Sequence, residues 1–165
     1  MTDQLQTRRT LLAWLGAGAA ASALAACGTP ASAASYKVNL TDAQWRKKLT
    51  KDQYFILREA GTEPAFSSPL LNEHRKGTFL CAGCDNALFD SKTMFHSGTG
   101  WPSFYQPLPG AVGTSSDFKL GYPRVEVHCA DCGGHLGHVF KDGPKPTGLR
   151  YCMDGDGLKF RAAKA

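Results

Sequence analysis

The chain has 165 residues, enough for one domain of ordinary size. Its 19 Lys and Arg against 14 Asp and Glu give a formal net charge of +5, and no basic run is longer than Arg46-Lys47-Lys48. A charge this small and this scattered argues against a nucleic-acid-binding protein. The 18 glycines and 9 prolines indicate many turns and favour a β-rich domain.

Residues 1–26 are typical of a signal peptide. Arg8-Arg9 precedes an uncharged run of about 16 residues, which is shorter than the roughly 20 that a membrane-spanning helix needs. Residues 7–12 resemble the twin-arginine export signature, although the basic start of an ordinary secretory signal is the alternative. We therefore expect export to the periplasm or cell envelope.

The segment after this run allows two processing sites. Leu24-Ala25-Ala26-Cys27 resembles a bacterial lipobox, in which Cys27 would carry a lipid anchor. Cleavage after an Ala-x-Ala site, for example after Ala33, would instead remove Cys27. Residues 27–40 are predicted to be a linker because they contain many small residues, and residues 41–165 the folded domain.

Two short helices are predicted at the start of this domain. Thr41-x-x-Gln44 and Thr50-x-x-Gln53 each match a capping box. Trp45 and Leu49 are four residues apart, so they share one helical face. Gly61 is a plausible end for the second helix.

The rest of the domain has the pattern of short strands separated by turns. Residues 125–128 alternate as a half-buried strand does. We predict a mainly β fold of antiparallel strands. The predicted strands are Thr78–Cys81, Ala87–Phe89, Val125–His128, Leu136–Phe140, Arg150–Met153 and Leu158–Arg161.

Two Cys-x-x-Cys pairs predict a structural metal site. Cys81 and Cys84 form one pair, Cys129 and Cys132 the other, and 44 residues separate them. Four thiolates complete a tetrahedral Zn²⁺ site and leave no open coordination position for catalysis. Gly83 is expected to favour the tight turn of the first pair. Disulfides are the alternative, since the domain is predicted to be exported.

Cys152 is set apart from these pairs in the sequence. An unpaired cysteine outside a metal site is a candidate nucleophile. Such a thiol needs neighbours that lower its pKa, because the thiolate is the reactive form.

Three longer motifs then identify a family. Gly98–Phe104 reads GTGWPSF, His135–Phe140 reads HLGHVF, and Gly143-Pro144 leads to Arg150-Tyr151-Cys152. With the two Cys-x-x-Cys pairs, they resemble the methionine-R-sulfoxide reductases of the MsrB family from about residue 45 to residue 160. The resemblance implies two antiparallel sheets around a shallow pocket.

The resemblance also implies the activity and the site. Cys152 would attack the sulfur of methionine-R-sulfoxide in proteins and become a sulfenic acid. His135 and His138 would orient or protonate the sulfoxide oxygen, with the structural role of a buried histidine as the alternative. The substrate-binding residues would be Trp101, Phe140, Arg150 and Asp154, with packing in the core as the alternative for Trp101 and Phe140. A small thiol or a thioredoxin-like protein would then restore the enzyme, whose substrates would be exported proteins.

Two positions depart from the family pattern. Thr99 stands where many members have a recycling cysteine, which predicts an enzyme with one redox-active cysteine. Asp154-Gly155 stands where Asn-Ser is usual. An ionised Asp154 would raise the pKa of the nearby thiol, so either its side chain points away or the activity is modest.

Two other classes of function stay open at this point. One is a zinc-stapled binding module that has lost catalysis, for which Asp154 is the warning sign. The other is a thiol-disulfide oxidoreductase that uses one Cys-x-x-Cys pair, although no thioredoxin-like βαβ pattern supports it.

Overall fold

A computed structural model of the chain describes residues 36–164. The predicted signal peptide and Cys27 lie outside these residues. Within them, no helix is long and apolar enough to cross a membrane.

Both predicted helices form. Helix α1 (Asp42–Lys48) and helix α2 (Lys51–Glu59) start at complete capping boxes, in which Thr41 and Thr50 accept a backbone N–H. Helix α2 ends at Ala60, which is left-handed with φ 49°. The predicted stop, Gly61, is the next residue, and its N–H donates to the carbonyl of Phe55 at 2.9 Å.

Two antiparallel sheets make up the rest of the domain, as the sequence predicts. The three-stranded sheet has the order β2-β1-β9 and the six-stranded sheet the order β3-β4-β8-β7-β6-β5. Each predicted strand is present to within a residue or so at its ends. The strands are β1 (Gly77–Cys81), β2 (Ala87–Asp90), β3 (Met94–Phe95), β4 (Ser103–Phe104), β5 (Val112–Asp117), β6 (Arg124–Cys129), β7 (His135–Phe140), β8 (Arg150–Met153) and β9 (Leu158–Ala162).

Aromatic packing joins the two sheets. Phe79 and Phe89 of the smaller sheet contact Phe104 of the larger one, with ring centroids 4.9 Å and 4.3 Å apart. All three side chains are fully buried. Such pairs add about 0.5–1.5 kcal/mol each beyond the burial of apolar area. This core fixes β4 beside β8, the strand that carries Cys152.

Residues 36–40, at the end of the predicted linker 27–40, pack on the domain. The N–H of Val38 donates to the carbonyl of Asp131 at 2.8 Å, and Lys37 forms an ion pair with the Asp131 carboxylate at 2.7 Å. Val38 and Leu40 contact the buried core. The ordered contacts of the domain therefore begin a few residues before Thr41.

Candidate active site and metal-binding centre

The two Cys-x-x-Cys segments are turns of the same geometry in different sheets. The first knuckle (Cys81–Cys84) joins β1 to β2, and the second knuckle (Cys129–Cys132) joins β6 to β7. In each, the residue after the second cysteine donates its N–H to the carbonyl of the first cysteine at 2.9 Å. That residue is left-handed in both, Asp85 with φ 62° and Gly133 with φ 67°. The expectation that Gly83 meets the turn's conformational demand was therefore wrong, because Asp85 does so.

The four sulfur atoms converge on one point. All lie within 4.8 Å of one another, with Cys81 Sγ 3.7 Å from Cys132 Sγ and Cys84 Sγ 3.5 Å from Cys129 Sγ. A disulfide needs about 2.05 Å between sulfurs, so these pairs are not bonded. Four ligands at about 2.3 Å from a tetrahedral ion would be roughly 3.8 Å apart. The residues present fit a metal ion with four thiolate ligands.

The fifth cysteine of residues 36–164 lies on a different part of the larger sheet. Cys152 of β8 is directly opposite His138 of β7 and Ser103 of β4. Directly opposed residues of antiparallel strands have their side chains on the same face. The same register places Phe140 opposite Arg150. The side chains of these four predicted site residues therefore lie on one face of β7 and β8 and form one row. The row consists of Cys152, His138, Arg150 and Phe140.

Burial and charge act against each other at Cys152. Burial raises the pKa of the Cys152 thiol. The Thr99 hydroxyl, 3.7 Å from Cys152 Sγ, and the positive charge of Arg150 act to lower that pKa, whereas the Asp154 carboxylate acts to raise it. The reactivity of Cys152 therefore depends on the protonation of Asp154.

Two carboxylates hold the predicted histidines. His135 Nδ1 lies 2.7 Å from Glu126 Oε1, and His138 Nε2 lies 2.8 Å from Asp117 Oδ2. The bond from His135 lowers the pKa of Glu126 to about 2, so this partner is ionised at neutral pH. Burial lowers the pKa of His138. Both imidazole rings are buried with fixed orientations, and their centroids are 5.3 Å apart.

One ring nitrogen of His135 is available to bind a substrate or transfer a proton. Its Nε2 is buried and has no hydrogen-bond partner among residues 36–164. The nearest carboxylate oxygen is Asp154 Oδ2, at 3.9 Å. A buried nitrogen without a partner is costly, and such atoms occur where a ligand or a reacting group completes the site.

Asp154 does not point away from the site. Its side chain is 3% exposed, and its Oδ1 accepts the backbone N–H of Glu63 at 3.0 Å. Burial raises the pKa of Asp154 to about 7. Near neutral pH the protonated and ionised forms of this carboxyl are therefore both populated.

Glu63 connects Asp154 with Trp101. Its carboxylate accepts the N–H groups of Gly155 and Asp156 at 2.6 Å and 2.9 Å, which fixes the turn after β8. Its carbonyl accepts the indole N–H of Trp101 at 3.2 Å. Trp101 is half-buried in the loop before β4.

Arg150 is held from two sides. Its guanidinium donates two hydrogen bonds to Asp142 at 2.9 Å and 2.8 Å, and it lies over the ring of Phe140 at 4.5 Å from the centroid. Paired donors to a carboxylate restrict the guanidinium in both position and rotation. Its charge is therefore fixed beside Cys152.

Two cavities flank these residues. One of about 270 Å³ is lined by Glu126 and His135 together with the loop that follows β5. Another of about 520 Å³ has Trp101, Ser97 and Ser103 in its wall. Neither lining includes Cys152, so the cavities adjoin its neighbours and not the thiol itself.

Comparisons with known proteins place most of the chain in one family. A family model described as the SelR domain matches residues 49–162. The peptide methionine sulfoxide reductase MsrB of Leptospira interrogans is 53% identical over 128 residues, which is 77% of this chain and 98% of the relative. The protein of the same name from Agrobacterium fabrum is 55% identical over 127 residues, 76% of this chain and 94% of the relative.

The chain belongs to the SelR family. The predicted MsrB resemblance is confirmed, and with it the enzyme class, peptide-methionine (R)-S-oxide reductase. The alternative of a catalytically weakened binding module is not favoured. An oxidoreductase that uses one Cys-x-x-Cys pair fits poorly as well, because both pairs point into the four-sulfur cluster of this SelR domain.

Four acidic residues around the site of this SelR-family enzyme were not predicted from the sequence. Glu126 carries a weak signal, since it is the polar member of the alternating strand 125–128. The others are recognisable only through contacts between residues distant in sequence. The four are Glu63, Asp117, Glu126 and Asp142.

Proposed function

We propose that Cys152 is the nucleophile that reduces methionine-R-sulfoxide in polypeptides. The observation that carries this is the row in which Cys152 lies opposite His138, with the open nitrogen of His135 beside Asp154. An enzyme that reduces a sulfoxide needs a thiolate at the substrate sulfur and a hydrogen-bond donor at its oxygen. This row supplies both.

In the first step the Cys152 thiolate attacks the substrate sulfur. Arg150 favours the thiolate by its charge, and Trp101 offers an aromatic surface to the methyl and thioether groups, a contact worth about 0.3–1.5 kcal/mol. The sulfur–oxygen bond of the substrate breaks, and its oxygen ends on Cys152 as a sulfenic acid. The product thioether is methionine, so the two electrons come from the Cys152 sulfur.

Protonated histidine is the proposed source of the proton on the departing oxygen. Glu126 pairs with His135 Nδ1 and Asp117 with His138 Nε2, which leaves His135 Nε2 as the nitrogen that would carry the proton to the oxygen. A protonated Asp154 serves as a further donor. The net reaction balances, because the proton lost from the thiol is regained in the sulfenic acid O–H.

A direct assay tests this assignment. A peptide carrying racemic methionine sulfoxide is incubated with the enzyme and dithiothreitol, and the two epimers are separated by chromatography. We expect loss of the R epimer alone, and no loss with Cys152→Ser. After exposure to substrate without reductant, a sulfenate-selective probe should label Cys152. Turnover by the serine variant, or loss of both epimers, would refute the proposal.

We also propose that an external thiol clears the sulfenic acid directly. One thiol condenses with it to give a mixed disulfide and water, and a second thiol releases Cys152 as thiol. Among residues 36–164 no cysteine outside the four-sulfur cluster is left to do this from within. The position closest to this role is Thr99, whose Oγ1 is 3.7 Å from Cys152 Sγ.

Thr99→Cys should change how the sulfenic acid is cleared, from direct reaction with an external thiol to formation of an intramolecular disulfide. A cysteine at this position can reach Cys152, so we expect an intramolecular disulfide between the two after a single turnover. The wild-type enzyme should show none. Peptide mapping under non-reducing conditions distinguishes the two. Ser97→Cys is the matched variant, because Ser97 lies two residues earlier in the same loop and is linked to Thr99. A disulfide at Cys152 in the wild-type enzyme would contradict the one-cysteine mechanism.

Zinc is the proposed occupant of the four-cysteine site, since thiolate ligands in tetrahedral geometry suit it.

Residues 1–26 are proposed to export the enzyme by the twin-arginine route. Cys27 is the proposed site of lipid attachment, and exported proteins are the proposed substrates. The supporting feature is Arg8-Arg9 followed by the short apolar run. Intact mass of the mature protein reports cleavage and lipid together, and a mass that retains residues 1–26 would overturn export by cleavage.

A further inference from the structure

Three hydroxyl groups form a continuous chain that ends at Cys152. Ser103 Oγ lies 2.8 Å from Ser97 Oγ, Ser97 Oγ lies 2.8 Å from Thr99 Oγ1, and Thr99 Oγ1 lies 3.7 Å from Cys152 Sγ. At its other end, Ser103 Oγ lies 3.1 Å from the carbonyl oxygen of Trp101. Each link is within hydrogen-bond distance for its atoms, with the longer one involving sulfur.

We propose that this chain is a reversible hydrogen-bond relay that supports Cys152 both as thiol and as thiolate. The proposal rests on the role of Cys152 as nucleophile. A hydroxyl can donate one hydrogen and accept others, so a row of hydroxyls can reverse its direction by rotation alone. The carbonyl of Trp101 can only accept a hydrogen bond. Ser103 therefore donates to this carbonyl in one direction of the chain and to Ser97 in the other.

When Cys152 is a thiol, the chain points away from it. The S–H donates to Thr99, Thr99 to Ser97, Ser97 to Ser103, and Ser103 to the Trp101 carbonyl. When Cys152 is a thiolate, the chain points towards it. Ser103 then donates to Ser97, Ser97 to Thr99, and Thr99 to the sulfur. Every hydroxyl has a hydrogen-bond acceptor in both states.

The chain is a supporting device and not an exit for the proton. Its last member, Ser103, is 1% exposed, and the group beyond it is a carbonyl that cannot take up a proton. The chain therefore passes no proton beyond Ser103. Thr99 and Ser103 both act on the Cys152 sulfur as hydrogen-bond partners, whereas Ser97 is a positioning residue.

The backbone keeps these hydroxyls in place. Ser103 and Cys152 are paired residues of β4 and β8, and the N–H of Thr99 donates to Ser97 Oγ at 3.4 Å. The charged groups that act on Cys152 are Arg150 and Asp154, with His138 opposite it in β7. The hydroxyls carry no charge, so their effect persists whatever the protonation of those groups. A donor to a charged acceptor is the stronger kind of hydrogen bond, which makes the thiolate the state that gains most.

The test is the pH dependence of Cys152 alkylation by iodoacetamide, read on the Cys152 peptide by mass spectrometry. Thr99→Val keeps the shape of the side chain and removes its hydroxyl. We expect its alkylation profile to move to higher pH, with about a tenfold slower reaction at pH 7. Thr99→Ser restores the hydroxyl and should restore the profile. Ser97→Ala should move it in the same direction by less.

Thr114→Val, an exposed threonine of β5, is the matched control and should leave the profile unchanged. Identical profiles for Thr99→Val and wild type would overturn the relay, even if turnover falls, because turnover also responds to packing. Failure of Thr99→Ser to rescue would overturn it as well. Alkylation requires no sulfoxide substrate, so this experiment separates failure of the relay from failure of the proposed reductase mechanism.

Discussion

Cys129→Ser should unfold the domain at temperatures where the wild-type protein is stable. The four cysteines link the turn after β1 with the turn after β6, which belong to different sheets. Metal binding to such a site is worth about 10–16 kcal/mol in small zinc domains, comparable with the 5–15 kcal/mol total stability of a typical domain. Removal of one thiolate should therefore cost most of the folding free energy.

Cys129 is a stringent position for this test. It is fully buried, and its Sγ also accepts a contact from the Asn86 amide at 3.5 Å, whose other partner is the Ala111 carbonyl. Outer-shell contacts of this kind orient ligands and tune metal affinity. Serine is smaller and is not deprotonated at neutral pH, so the site loses both the metal bond and the packing of the sulfur.

Thermal unfolding by circular dichroism and metal content by elemental analysis are measured on the same samples. We expect one zinc per chain in the wild-type protein and in Cys152→Ser, with equal melting temperatures. Cys129→Ser should lose the metal and melt far lower, and a strong chelator should do the same to the wild-type protein. Equal melting temperatures for wild type, Cys152→Ser and Cys129→Ser would show that the four-cysteine centre does not hold the two sheets together.

The sequence predicts the fold best where the signal is local. The capping boxes at Thr41 and Thr50 specify both helix starts, because a cap depends only on residues three apart. Strands β3 and β4 were not predicted, since two residues each are too few for a periodic pattern. Strand β5 was missed too, because Thr114, Ser115 and Ser116 are exposed and show no alternation.

The same distinction applies to the site. The row of Cys152, His138, Arg150 and Phe140 follows from two motifs that pair as neighbouring strands. Glu63 is 91 residues from Asp154 in sequence, so nothing local indicates their contact. Asp154 itself was predicted either to point away or to weaken the activity. It does not point away, and burial raises its pKa to about 7, so its carboxyl is partly protonated near neutral pH.

Asp154→Asn should remove the alkaline loss of activity. Burial raises the pKa of Asp154 to about 7 from an ordinary value of 3.8. Below this pKa the carboxyl is neutral and can donate towards the sulfoxide oxygen. Above it, the carboxylate raises the pKa of Cys152 and repels the negative charge that develops on the oxygen. Because Asp154 ionises near pH 7 and the raised pKa of Cys152 lies above that, the wild-type profile of kcat/KM should level off near pH 7 and fall at higher pH, once both groups are ionised. The Asp154→Asn profile should instead rise until Cys152 is ionised.

The free energy of unfolding should also depend on the ionisation of Asp154. The folded state retains the Asp154 proton to higher pH than the unfolded state does, so this group lowers stability as pH rises from about 4 to about 7. Each tenfold change in an ionisation constant is worth about 1.4 kcal/mol, which gives roughly 4 kcal/mol as an upper value. Asparagine does not ionise, and its carbonyl can still accept the N–H of Glu63. Urea unfolding should show that Asp154→Asn gains stability over wild type at pH 8 and little at pH 4.

Asp156→Asn provides the matched control for both measurements. It removes one negative charge from an exposed side chain of the same turn, two residues after Asp154. Because the charge of Asp156 helps to raise the pKa of Asp154, the alkaline loss should persist in this variant and begin at slightly lower pH. If the alkaline loss arises from a general field effect, Asp156→Asn should reduce it as Asp154→Asn does. If the loss persists in Asp154→Asn, the titrating group is another residue, and His138, whose pKa burial lowers, is the next to test. A profile that rises without a descending limb in Asp154→Asn alone would identify the buried carboxyl as the group that limits this enzyme above neutral pH.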